Sequence, residues 1–131
     1  MKAITLFALF TLAATEVDYH TGNNTLELEA FVSDITRVKS LVDCFLDREP
    51  CHEPAGTYKA LIPKILATKC DKCTNEFKHL AYRFLTELKA SLYDEYLDLR
   101  YKYDRVNQHY DDFVKAIEAC KQLVWRYYCD S

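Results

Sequence analysis

Residues 74–88 read TNEFKHLAYRFLTEL. The apolar members Phe77, Leu80, Ala81, Phe84, Leu85 and Leu88 recur at intervals of three and four, the spacing that lines one face of a helix with 3.6 residues per turn. Thr74 has a side-chain oxygen to offer the first free N–H groups, so the helix is expected to begin there. The same period returns on both sides. Toward the amino end it runs through Tyr58, Leu61, Ile62, Ile65 and Leu66, and before them through Ile35, Val38, Leu41, Val42, Phe45 and Leu46. Pro50 is expected to end that earlier helix, and Pro63, which has no N–H, to kink the later one. Leu26, Leu28, Phe31 and Val32 suggest a short first helix. Toward the carboxyl end Tyr93, Tyr96, Leu97 and Arg100 continue the pattern. After a polar break at Asp104 to Gln108, Tyr110, Phe113, Val114, Ile117 and Val124 make a sixth helix. Two-residue alternation is absent, so the fold class is all-α, a compact bundle of about six short helices.

Composition agrees. The chain has 131 residues with only 2 Gly and 3 Pro, too little punctuation for a many-turned sheet protein. Half of it is apolar and 14% aromatic, enough to build a core. Its 17 basic and 20 acidic side chains are well mixed and give a net charge of -3, which offers no field to a polyanion and argues against nucleic acid. No repeat, linker or low-complexity tract divides it.

The amino end reads as a secretion signal. Met1-Lys2 is a short charged region, Ala3 to Leu12 is an uncharged apolar run, and Ala13-Ala14-Thr15 supplies small residues for cleavage. Glu16 and Asp18 stop the run well short of the roughly 20 residues that cross a bilayer. The expectation is a leader at residues 1–14 and one secreted, extracellular domain at 15–131, acidic and not inserted in a membrane. Asn23-Asn24-Thr25 is a glycosylation sequon in such a chain.

Secretion gives the six cysteines their meaning, because thiols outside the cytosol oxidise and small domains benefit from covalent staples. On one helix Cys44 and Cys51 would lie about 10.5 Å apart along the axis, too far to bond, so the helix must end between them and let Cys51 fold back. Cys70 and Cys73 are close enough to join in the turn before the next helix. Cys120 and Cys129 are left over in the tail. An intramolecular bond between them requires the last helix to end near Leu123 to Trp125; intermolecular pairing through Cys120 or Cys129 would instead link two otherwise monomeric chains. Zinc is disfavoured, since structural zinc sites offer two close ligand pairs. The Cys70-Asp71-Lys72-Cys73 stretch follows no strand and lacks the thioredoxin context.

The spacing Cys44-x6-Cys51-x18-Cys70-x2-Cys73, with Leu46-Asp47 after the first cysteine, Pro63 and Leu66 before the third, and Ala81-Tyr82-Arg83 and Lys102-Tyr103-Asp104 after the fourth, resembles the insect chemosensory protein family. The correspondence runs without a gap from about Tyr19 to Asp104 and more weakly to about Lys115. The resemblance implies a secreted bundle whose neighbouring cysteines pair in order around a narrow apolar channel for long-chain lipophilic molecules. It implies no reaction. The chain departs from the family pattern at Leu41, where an aromatic is usual, at Tyr96, where a Trp is usual, and at His109, where a second aromatic is often found. Cys120 and Cys129 fall in a tail that the pattern does not cover.

Periodicity cannot tell a filled core from a hollow one; the resemblance is what favours the channel. On that footing the expected ligand-binding residues are Leu46, Ile62, Ile65, Leu80, Phe84, Tyr96 and Phe113, with the phenol of Tyr96 as an orienting group. The expected function is a carrier for semiochemicals, fatty acids or other lipophilic compounds, with an acyl chain of about a dozen carbons as the reference ligand. The rival is a secreted interaction protein with a solid core, acting through its surface and the Trp125-Arg126-Tyr127-Tyr128 tail. Catalysis, a metal and a cofactor are not expected: His52-Glu53 lies outside any H-E-x-x-H pattern, His20, His79 and His109 read as surface residues, and Asp111-Asp112 as a solvated helix face.

Overall fold

A computed structural model describes residues 30–120. The proposed leader at 1–14, the sequon at Asn23 and the tail cysteine Cys129 lie outside them. Within the described residues are five complete helices and no strand: α1 (Ile35–Phe45), α2 (Ala55–Ala67), α3 (Asn75–Ser91), α4 (Tyr93–Tyr103) and α5 (Tyr110–Glu118). Helical residues 30–32, in the segment of the expected first helix, precede them.

Each helix starts and stops for a local reason. Asp34 accepts from the Thr36 N–H to open α1, and Thr74 accepts from the Phe77 N–H to open α3, where expected. The end of α1 corrects the reading from Pro50. The helix stops at Phe45, and Asp47 takes a left-handed backbone (φ 66°). Asp47 N–H then donates to Cys44 O (3.1 Å) and Arg48 N–H to Asp43 O (2.8 Å), a Schellman ending built without glycine. α2 closes the same way at Lys69 (φ 58°), with Cys70 N–H donating to Ile65 O (2.9 Å). It runs as one helix across Pro63. The disulfides sit at these endings: Cys44–Cys51 joins the end of α1 to the approach of α2, and Cys70–Cys73 joins the end of α2 to the start of α3. Helix α5 also stops early, at Glu118 with Ala119 as its cap, before Leu123 to Trp125. Its final turn tightens as Cys120 N–H donates to Ile117 O (2.9 Å).

Helices α1, α2, α5 and α3 pack in a closed ring, α1 on α2, α2 on α5, α5 on α3 and α3 on α1; α4 covers α1 and α3. Charges on the cover reach across to α1 and its ending. Lys39 donates to Asp43 (2.7 Å) and lies 3.7 Å from Glu95, Arg48 pairs with Asp98 (2.7 Å), and Lys102 with Asp47 (2.9 Å). Asp47 also holds Lys59 of α2. Hydrogen bonds from Lys59 and then Lys102 bring its carboxyl down to about 2.

Apolar burial falls into two clusters. One gathers Val38, Val42, Cys44, Phe45, Phe84, Leu88, Tyr96 and Leu99; the other gathers Ile65, Leu66, Cys70, Phe77, Phe113 and Ile117. Tyr58, Ile62, Leu85 and Tyr103 are partly buried against both. They form the seam.

Candidate functional site

A cavity of about 110 Å³ occupies that seam. Its wall takes Leu41 and Phe45 from α1, Tyr58, Ile62, Ile65 and Leu66 from α2, and Phe77, Leu80, Ala81, Phe84 and Leu85 from α3. Leu99, Arg100, Tyr103 and Asp104 come from α4 and its end, Tyr110 and Phe113 from α5, and Phe31 from the segment before α1. Eight of these residues are aromatic.

Several polar atoms on the wall are held. Tyr103 Oη donates to the Phe45 carbonyl (2.7 Å), which secures the end of α1 to α4 across the seam. Tyr110 Oη shares a hydrogen bond with Tyr96 Oη (2.9 Å); burial first, and then this bond, push the Tyr110 phenol far above its ordinary range. Burial also raises the Tyr58 phenol. Asp104 organises the turn into α5. Its carboxylate accepts from the backbone N–H groups of Gln108 (2.9 Å), His109 (3.0 Å) and Tyr110 (2.8 Å), the residues that lead into the helix. Burial opposes its ionisation, yet the three bonds together win and hold it below the usual carboxylate value.

Of the residues expected to line a channel, the structure brings Ile62, Ile65, Leu80, Phe84 and Phe113 together on this wall. Leu46 is elsewhere, packed against the first cluster just past the end of α1. Tyr96 is buried with its ring on a second hollow, a groove of about 580 Å³ between α3, α4 and α5. That groove shares Leu85, Arg100 and Tyr110 with the cavity, so these three form the partition between them. Tyr58, Phe77, Leu85 and Tyr110 were visible as stripe residues, but which stripe residues face a void depends on ring packing across helices. His79 corrects the surface reading: it is 5% exposed, and its Nδ1 donates to the Cys120 carbonyl (2.7 Å), fixing α3 to the end of α5. Cys120 is fully buried there.

Among the described residues no group of His, Cys, Asp and Glu is arranged to hold a metal, and no helix is long and apolar enough to cross a membrane. What the site offers is an apolar enclosure.

Residues 19–111 match the model of the insect pheromone-binding family, A10/OS-D. Allergen Tha p 1 of Thaumetopoea pityocampa is 24% identical over 104 residues, covering 79% of this chain and 82% of that protein. No solved structure shows a significant match. The chain belongs to the insect pheromone-binding family.

Proposed function

We propose that this member of the pheromone-binding family is a secreted, extracellular carrier for a small lipophilic molecule, which places its apolar chain in the seam cavity. The observation that carries the reading is the cavity itself: a nearly polar-free hollow inside a closed ring of helices, bounded by all five of them. Ile62, Ile65, Leu80, Phe84 and Phe113 are the proposed contacts.

Size sets what fits. An apolar void of roughly 150 Å³ takes a benzene, so about 110 Å³ accepts on the order of a third of a dozen-carbon chain. The remainder extends beyond the cavity. Each buried methylene contributes about 0.8 kcal/mol, close to a fourfold gain in affinity, before ordering costs are subtracted. Affinity therefore rises steeply over the first carbons and more gently once the cavity is full, reaching the micromolar range.

Displacement of an environment-sensitive fluorescent probe by fatty acids, alcohols and esters of increasing length tests this on the oxidised protein. Ile65→Asp should abolish the displacement, because its carboxylate would be desolvated on the wall without a partner. Absence of binding by every chain to folded wild-type protein would refute the carrier reading.

A further inference from the structure

The partition between cavity and groove carries a cation. Arg100 stands in the last turn of α4, and its guanidinium lies 4.0 Å from the ring centre of Tyr110 and 5.8 Å from that of Tyr96. One Nη donates to Asn107 Oδ1 (2.7 Å). A guanidinium has five N–H donors. Among the described residues Arg100 forms no ion pair, unlike Lys39, Arg48 and Lys102, which each meet a carboxylate. Lys89, with its ammonium 5.9 Å from the Tyr96 ring, lines the same groove; so do the acids Asp111 and Glu118. Arg100 is thus a half-buried cation at the mouth of an apolar hollow, pre-oriented by two rings and an amide and with donors to spare.

We propose that Arg100 binds the carboxylate head of the ligand, so that the cargo is a fatty-acid-like anion with its tail in the seam cavity and its head at the partition. The inference rests on the carrier reading and adds the class of the head group. Planar, forked donors match a carboxylate, and ring stacking reduces the rotamer freedom lost on binding. An alcohol or ester of equal chain length keeps the tail contacts and loses the charge-assisted bonds.

The test compares dodecanoate, dodecanol and methyl dodecanoate as displacers of the same fluorescent probe at neutral pH. Dodecanoate should bind about tenfold tighter than the other two. Arg100→Gln should bring dodecanoate to the level of dodecanol while leaving dodecanol within about twofold, and Arg100→Lys should keep part of the preference. In the wild-type protein added salt should weaken dodecanoate and leave dodecanol unchanged, a readout that needs no variant. Equal affinity for acid and alcohol, or an equal loss of both in Arg100→Gln, would overturn the head-group assignment and leave Arg100 as a residue that stacks on Tyr110 and bonds Asn107. If none of the three displaces the probe, the carrier reading itself fails, and the assignment with it.

Discussion

The two ends of the hydrophobic interior are packed on different principles. At one, Val38, Val42 and Leu88 are fully buried and none reaches the cavity; small branched side chains at four-residue spacing fill the space between α1 and α3. At the seam the wall carries eight aromatic residues, the hydroxyls of Tyr103 and Tyr110 are hydrogen-bonded, and a void remains. Amphipathic stripes thus build a solid and a hollow. Each cluster carries its own disulfide cysteine, Cys44 with Val38, Val42 and Leu88, and Cys70 beside the wall residues Ile65 and Leu66.

Truncations should expose that contrast. Leu88→Ala removes atoms from a close-packed site and should cost about 3 kcal/mol in denaturant unfolding, with probe affinity unchanged in the folded fraction. Next comes the Cys44→Ala/Cys51→Ala pair, which releases a short loop and should cost about 2.5 kcal/mol, again without altering binding. Asp104→Asn should cost about 1 kcal/mol by weakening the start of α5, and here binding should fall too, because Tyr110 and Phe113 follow that turn. The smallest cost should come from Leu80→Ala, less than about 1 kcal/mol, since part of this side chain already faces empty space. It should nonetheless be the variant that gains affinity for longer chains. A Leu80→Ala loss as large as that of Leu88→Ala would mean that the seam is as tightly packed as the rest.

Acid tests the turn at Asp104 and the helix end at Asp47. Asp104 and Asp47 both have folded values below those of a free aspartate, so the unfolded chain takes up protons first as pH falls. Their contribution is fully present above about pH 4 and is lost as pH drops through the lowered folded values, for Asp47 about 2. Stability curves from neutral to acid pH should fall over that window, and Asp104→Asn should flatten part of the fall.

Much of the architecture was legible in the residues. The stripes located all five complete helices, Thr74 was readable as a cap, and the Cys44–Cys51 and Cys70–Cys73 bonds followed from how far a helix carries its side chains. The helix ends were harder. Asp47 and Lys69 end their helices in a left-handed backbone that neither residue type signals as strongly as glycine does, so Pro50 drew the attention. His79 was misplaced because a histidine on an otherwise apolar face reveals nothing of the Cys120 carbonyl that meets it from 41 positions away. The site was legible by composition and not by shape. Five expected wall residues do meet at the cavity, but the displacement of Leu46 follows from the early end of α1, and the place of Arg100 follows from the way α4 crosses Tyr110.

The claim that the seam, and not the rest of the interior, receives the cargo is tested most directly by methyl NMR. Protein labelled at Ile, Leu and Val methyls would be titrated with dodecanoate under oxidising conditions. The methyls of Ile62, Ile65 and Leu80 should shift and saturate together, while those of Val38, Val42 and Leu88 stay in place. Shifts confined to Val38, Val42 and Leu88, or none at Ile62, Ile65 and Leu80 at saturating ligand, would contradict the account.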